Sequence, residues 1–142
     1  MVLDGAVSPN VSMREQQLAQ ATAFDKALLS FLAAEKRFKI SDIKKLLFEA
    51  KTNPLRSSDG RLANQSIAIT AIAATLYDSG AGWKDLKKML DQAIVKKDPT
   101  AMFQQADEYN NRDSAGNYYS NQTDVSIVIN CLDWKEPRTV KR

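Results

Sequence analysis

The side chains of this sequence that could do acid–base chemistry are carboxylates, notably the adjacent pair Asp107 and Glu108, with Asp42 earlier in the chain. A glycosidase needs two carboxylates that face one another across a cleft. Nothing in the spacing of these acids indicates such a cleft, and they fall near the ends of predicted helices. We therefore interpret them as solvated helix-end residues rather than as catalytic groups.

Nucleophilic chemistry is limited by the absence of histidine from all 142 residues. A Ser-His-Asp hydrolase needs an imidazole to take the proton from the serine and return it to the leaving group. The sequence also lacks a Gly-x-Ser-x-Gly elbow and a phosphate-binding glycine loop. We therefore predict no catalytic residue in this chain, because the chain alone cannot run that mechanism.

Metal chemistry is limited by the presence of a single cysteine, Cys131. One thiol without an imidazole cannot form an internal disulfide or complete a zinc site of cysteine and histidine ligands. Cys131 lies in an apolar run over 125–132, so we interpret it as a buried, inert thiol, with a disulfide to a segment outside the chain as the alternative. We predict no metal and no cofactor.

The charge balance is mild, with 20 basic and 17 acidic residues, a net charge of +3 and a pI near 9.0. Basic residues cluster only locally, at Lys36-Arg37, Lys44-Lys45, Lys87-Lys88 and Lys96-Lys97. A nucleic-acid surface needs a denser stripe, usually with stacking aromatic residues between the charges. We therefore interpret the clusters as solvated helix faces and predict no nucleic-acid partner.

No segment has the pattern of a transmembrane helix or an export signal. The longest apolar stretch, 67–76, is short and contains threonines, and the N-terminus lacks a basic region followed by an apolar core. Five glycines and four prolines are few for a turn-rich β-sandwich.

Helical periodicity defines the first two elements. Ser12 and Glu15 form a capping-box pattern, and apolar residues at helical spacing predict a helix over 13–34. Ser41 can cap a second helix. That helix ends at Asn53-Pro54, because the residue before a proline avoids the helical region.

The rest of the chain continues the helical pattern after a predicted surface loop over 55–61. A third helix over 64–77 has apolar residues on most faces, which predicts a central position. A fourth helix opens at Trp83, a fifth follows the cap signal Asp98-Pro99, and a sixth covers 122–131. The sequence thus predicts an all-α protein of about six helices in an irregular bundle, with essentially no sheet. The aromatic residues at helical spacing are expected mostly in its core, with a ligand pocket as the alternative: Phe24, Phe31, Phe48, Trp83, Phe103 and Tyr109.

Several short motifs follow one another in an order that resembles a known family. They are Val2-Leu3-Asp4-Gly5-Ala6-Val7-Ser8-Pro9, Pro54-Leu55, Asp59-Gly60-Arg61, Leu76-Tyr77, Trp83-x-x-Leu86, Asp113-x-x-Gly116-x-Tyr118 and Ile129-Asn130-Cys131-Leu132-Asp133-Trp134. Together they resemble the helical lid inserted into α/β-hydrolases of the actinobacterial tripeptidyl-aminopeptidase-like branch. Two departures stand out: Ser8 replaces the usual acid, and the segment 31–38 lacks the cysteine pair of many relatives.

The resemblance implies a division of the chain into three parts. Residues 1–11 would be a strand remnant and connecting loop from the hydrolase core, 12–134 the helical lid domain, and 135–142 a loose C-terminal tail. It also implies that the nucleophilic serine precedes this segment, and that the catalytic acid and histidine follow it. The parent protein would be exported, at the cell surface or beyond, although this chain carries no signal.

The function implied is that of the lid of a secreted serine aminopeptidase-like hydrolase, which covers the active site and shapes substrate selection without catalysis of its own. Its partners would be the missing hydrolase core and a peptide substrate. The candidate substrate contacts are Asp133, Trp134 and Tyr109; Asp133 could pair with the cationic amine of a substrate, or it could merely tether the loop. The alternative is a stand-alone helical protein-interaction module.

An isolated lid would also expose the surface that faces its core. Exposed apolar patches drive association. We therefore expect a homodimer, or a domain swap through the loops over 57–60 or 113–116.

Overall fold

The computed structural model describes residues 11–133, and most of their backbone is helical. In chain order the elements are α1 (Met13–Glu35), α2 (Ile40–Thr52), β1 (Leu55–Arg56), β2 (Leu62–Ala63), α3 (Gln65–Leu76), α4 (Ala81–Leu90), a π-helical turn (Asp91–Lys96), α5 (Thr100–Tyr109) and α6 (Gln122–Asp133). The prediction of an all-α protein of about six helices is confirmed. The predicted tail over 135–142 lies outside the described residues, as does the strand remnant apart from Val11.

Helix α1 begins as its capping-box pattern predicts. The Glu15 N–H donates to Ser12 Oγ at 3.2 Å, and the Ser12 N–H donates to Glu15 Oε2 at 2.8 Å. The hydrogen bond from the Ser12 backbone, with a second from its hydroxyl, lowers the pKa of Glu15. The helix ends where Lys36 takes a left-handed conformation with a φ of 57° and donates its N–H to the Leu32 carbonyl oxygen.

The start of α2 differs from the expectation that Ser41 caps it. Ser41 lies inside the first turn, and the carboxylate of Asp42 accepts the backbone N–H of Lys39 at 2.8 Å. An acid in the first helical turn can satisfy the preceding N–H in this way. The predicted end is confirmed, because α2 stops at Thr52, just before Asn53-Pro54.

The segment 55–61, expected to be a surface loop, contains β1 and the turn that leads to β2. Ser57 is buried; its N–H donates to the Arg61 carbonyl oxygen at 2.9 Å, and its hydroxyl donates to the Asp59 carboxylate. Gly60 closes the turn with a φ of +87°, a conformation that glycine adopts without strain. The loop is therefore ordered by its own hydrogen bonds.

Helix α3 is the central helix, as its apolar faces predict. It packs against α1, α2, α4 and α5, and Asn64 caps it by accepting the Ile67 N–H at 3.1 Å. Large side chains that are fully buried around it are Phe31, Ile43, Leu86, Met89, Leu90 and Met102. Full burial of one such apolar side chain stabilises a fold by about 1.5–3 kcal/mol.

The connection from α3 to α5 depends on a close backbone approach. A Cβ atom at Gly82 would overlap the carbonyl oxygen of Thr75, so α4 can begin beside the end of α3 only because this residue is glycine. The π-helical turn then ends at Lys97, which has a φ of 58°. The expectation that Asp98 caps α5 with Pro99 as its first residue is wrong by one position, because Pro99 is the N-cap and α5 begins at Thr100. Asp98 still accepts the Thr100 N–H at 3.0 Å.

Helix α6 forms where it was predicted, but its side chains are not covered by the other described elements. Every residue from Gln122 to Leu132 is solvent-exposed, including the free thiol of Cys131, so the expectation of a buried thiol is wrong. The apolar residues on one side of α6, between 43% and 79% exposed, are Val125, Val128, Ile129 and Leu132. We call these four residues the α6 stripe.

In the part of the chain described, no helix combines the length and apolarity that crossing a bilayer requires.

Candidate functional site

An apolar depression of about 280 Å³ opens on the surface between α1, α2 and α3. We call it the α1–α3 groove, and its lining residues are Ala21, Phe24, Asp25, Leu28, Ile43, Leu47, Ile69, Ile72, Ala73 and Leu76. Nine of these ten residues are apolar, and Asp25 is the one ionisable residue among them. Such a cleft can hold an apolar group and orient it through a single charged contact.

The groove follows from the way α3 is surrounded. Ala68 and Ala71 are fully buried, whereas Ile69 is half exposed in the groove. An apolar residue on a second face of α3 therefore remains uncovered, although α1 and α2 pack on either side. The positions that α1 and α3 contribute follow the spacing i, i+3, i+4 and i+7, and the two positions of α2 are four residues apart, so each set shares one helix face.

Three aromatic rings border one end of the groove and form what we call the aromatic cluster: Phe24, Tyr77 and Tyr109. The Phe24 ring, which lines the groove, stands at 86° to the Tyr77 ring with centroids 5.2 Å apart. The Tyr77 and Tyr109 rings are stacked, with centroids 6.1 Å apart. Edge-to-face and stacked pairs of this kind are favourable. The cluster therefore fixes rings from α1, the end of α3 and α5 beside the groove.

The two tyrosine hydroxyl groups also interact. Their oxygen atoms are 3.5 Å apart, and Gln20 Nε2 donates to the Tyr77 hydroxyl at 3.3 Å. The hydrogen bond with Tyr77, assisted by burial, raises the pKa of Tyr109 to about 12. The phenol of Tyr109 is therefore protonated at neutral pH and can donate or accept a hydrogen bond, but it is not a base.

The aromatic residues expected in the core divide into three groups. Phe31 and Phe103 are buried, Phe24 and Trp83 are half-buried, and Phe48 and Tyr109 are exposed. The core expectation is therefore wrong for Phe48 and Tyr109. For Tyr109, the exposed ring leaves a surface that a ligand can reach.

The three predicted substrate contacts are not brought together by the described residues. Tyr109 belongs to the aromatic cluster. Asp133 is the last residue of α6, and its side chain lies outside the description, as does the whole of Trp134. Sequence reasoning missed the contact of Phe24 with Tyr77, because two residues so distant along the chain give no short-range signal.

A group of ionisable residues connects α5 to the hairpin, by which we mean β1, β2 and the turn between them. Asp107, expected to be a solvated helix-end acid, is buried, and Arg61 Nη1 donates to it at 2.6 Å. Arg61 also donates to Asp59 at 2.7 Å, and its guanidinium group lies 4.1 Å from the centre of the Phe103 ring. The hydrogen bond to Asp107 raises the pKa of Arg61. The expectation of exposure is therefore wrong for Asp107, which tethers two elements.

The arrangement offers three kinds of group that can contact a ligand. The groove offers an apolar surface, the cluster offers two phenol groups, and Asp25 offers a negative charge. Within residues 11–133, no three carboxylate or thiol groups are close enough together to hold a metal ion. These features can bind and orient a ligand.

Comparison with known proteins relates the chain to bacterial hydrolases. Serine protease Hip1 of Mycobacterium tuberculosis is 29% identical over 151 aligned positions, which cover 94% of this chain and 28% of that protein. Carboxylesterase B of the same species is 28% identical over 148 positions, which cover 96% of this chain and 28% of the relative. No family model matches the chain, and no solved structure gives a significant match. The chain thus spans about 28% of the length of these relatives, and its relationship is to α/β-hydrolase-like proteins.

Proposed function

We propose that this chain is the helical lid of a secreted serine hydrolase, and that the whole enzyme is an aminopeptidase. The lid covers the active site and selects substrates, while an α/β-hydrolase core supplies the serine, histidine and acid. The chain contains no histidine, so its part in such an enzyme is recognition. The exposed α6 stripe is the single observation that carries this proposal.

The α6 stripe needs a partner surface for energetic reasons. Its four side chains retain roughly half of their exposed area, and full burial of one Val, Leu or Ile contributes about 1.5–3 kcal/mol. Covering all four would therefore contribute about 3–6 kcal/mol before the cost of ordering. The similar hydrolases are more than three times as long as the aligned region, which supports a hydrolase core as the covering surface.

The groove and the aromatic cluster suit the substrate side of such a lid. An apolar side chain of a peptide fits a depression of this size, with the rings of Tyr77 and Tyr109 beside it. A carboxylate could pair with the free amine of the substrate. Asp133 is the candidate from the motif resemblance, and Asp25 is the candidate from the groove. A closed lid would also exclude water, which strengthens each polar contact.

A stand-alone interaction module is the second candidate, because the exposed α6 stripe could equally bind a separate protein. The surface that covers α6 would be encoded in the same gene if the chain is a lid, and in another gene if it is an interaction module. The coding sequence around this chain decides between them. A lid requires a Gly-x-Ser-x-Gly elbow upstream and an acid followed by a histidine downstream; flanking sequence without them would refute the lid.

The role of the α6 stripe is tested in the gene product that contains both lid and core. Val128→Asp places a charge within the stripe. Ile127→Asp places the same charge on the other side of α6, because at about 100° per residue Ile127 lies about 150° from the centre of the stripe. We expect Val128→Asp to raise the KM for peptides at least tenfold, and turnover of a small ester to stay within twofold. Equal effects of the two variants would contradict a docked α6.

Amine recognition is tested with Asp133→Asn and Asp25→Asn in the same gene product. The variant that removes the amine contact should lose selectivity for free-amine peptides over N-blocked ones. Activity towards N-blocked peptides should remain. If both variants affect the two peptide types equally, neither carboxylate recognises the amine.

A further inference from the structure

A second concave surface, formed by different elements, has the opposite chemical character. This depression has a volume of about 450 Å³ and lies between α4, the π-helical turn and the loop that follows α1. We call it the basic concavity, and its lining residues are Arg37, Lys84, Lys87, Lys88, Asp91, Gln92, Val95 and Lys96. Five of these eight residues are cations. Three basic pairs that looked isolated in the sequence therefore contribute to one surface.

Local backbone geometry brings these cations together. Lys84, Lys87 and Lys88 are three and four residues apart on α4 and share one face of it. The π-helical turn continues that face as far as Lys96. The left-handed residue after α1 turns the chain, and Arg37 then reaches Asp91 across the concavity.

Two of the five cations are neutralised within the chain. Arg37 Nη2 pairs with Asp91 Oδ1 at 2.6 Å, and Lys87 Nζ pairs with Glu35 Oε2 at 2.5 Å. Lys84, Lys88 and Lys96 have no carboxylate oxygen within 4.0 Å among residues 11–133. These three lysines thus share one concave surface without a paired carboxylate among the described residues. Asp98 interacts with Lys96 from a longer distance. A surface with this excess of positive charge attracts anions.

We propose that the basic concavity binds a multivalent phosphate-bearing anion. Lysine ammonium groups bind phosphate as point charges, and several of them converge here on a space open to solvent. A ligand with two or more phosphate groups offers more charged oxygen atoms to these lysines than a single phosphate does. The exposed side chain of Val95 offers an apolar contact to the organic part of such a ligand. This site is independent of the proposed lid function.

The experiment uses tripolyphosphate as the probe and the full 142-residue chain. The variant Lys84→Glu/Lys88→Glu reverses two charges of the concavity. The control variant Lys26→Glu/Lys44→Glu makes the same change in net charge at exposed positions outside it. Circular dichroism and thermal unfolding establish that both variants fold.

Calorimetric titration at low and moderate salt should show tripolyphosphate binding that weakens as salt rises. We expect the concavity variant to weaken binding at least tenfold and the control variant to weaken it less than twofold. Comparable weakening in both variants would show a diffuse charge effect and overturn the proposal. Absence of binding by the unaltered chain would overturn it as well.

Vesicles distinguish the two sources of such phosphate groups. If phosphatidylglycerol vesicles retain the chain, neutral phosphatidylcholine vesicles do not, and tripolyphosphate displaces it, the ligand is a lipid headgroup. Binding of tripolyphosphate without retention on vesicles assigns the site to a soluble ligand. Either result supports the basic concavity as an anion site.

Discussion

The two partners of the Arg61–Asp107 ion pair should differ in what their removal costs. Replacing Arg61 should destabilise the chain more than replacing Asp107. Asp107 is 7% exposed at its side chain and Arg61 is 27% exposed. Arg61→Met leaves a buried carboxylate whose nearest remaining cation, Arg112 Nη1, is 3.9 Å away. Asp107→Asn leaves an arginine that still pairs with Asp59 at 2.7 Å and reaches solvent.

The magnitudes follow from this asymmetry. Loss of one partner of a buried ion pair costs about 3–5 kcal/mol, because the other charge stays buried without compensation. Arg61 is partly exposed, so Arg61→Met should cost about 3 kcal/mol, at the lower limit of that range. Asp107→Asn should cost about 1.5 kcal/mol, since the amide oxygen still accepts a hydrogen bond. For a chain of this length these losses correspond to about 10 and 5 °C in Tm.

Urea unfolding followed by circular dichroism measures both costs, and Arg37→Met is the control. Arg37 pairs with Asp91 on an exposed surface, where an ion pair contributes about 0–1 kcal/mol. An Arg61→Met cost no larger than the Arg37→Met cost would refute the view of Asp107 as a buried tether. A larger cost for Asp107→Asn than for Arg61→Met would refute the asymmetry.

Three further predictions concern single positions. Gly82→Ala should destabilise the chain by about 2–4 kcal/mol because its Cβ meets backbone, whereas Gly80→Ala meets only a movable side chain and should cost less than about 1 kcal/mol; thermal unfolding compares them. A hydrogen bond from Ser57 and others from Arg61 lower the pKa of Asp59 to about 2, so the hairpin turn should keep this support above pH 4 and lose it as the pH falls through 2. Carboxyl-carbon NMR should show that midpoint, and Ser57→Ala should raise it towards 3.8; an unchanged midpoint in the variant would exclude the Ser57 hydroxyl as the main cause. Cys131 should react with a thiol reagent in the folded chain as fast as in urea, and protection of at least tenfold would contradict an uncovered α6.

Features determined by residues close in sequence could be predicted. The capping box of α1 requires only Ser12 and Glu15, three residues apart. The central place of α3 follows from its own composition, since a helix that is apolar on most faces has to be buried. The end of α2 follows from the restriction that Pro54 imposes on the residue before it.

Features that depend on distant partners could not be predicted. Burial of Asp107 is possible because Arg61, 46 residues earlier, reaches it. The basic concavity and the aromatic cluster likewise arise from side chains that only the tertiary fold brings together. The α6 pattern predicts an apolar face correctly, but periodicity does not reveal what covers that face.

Amide hydrogen exchange of α6, measured in the 142-residue chain and in the gene product that contains a hydrolase core, tests the lid proposal most directly. In the chain alone, an uncovered helix should exchange rapidly. In a protein that contains the core, burial of the α6 stripe that contributes at least about 3 kcal/mol would slow exchange about 100-fold. Equal exchange rates of α6 in the two proteins would contradict the account.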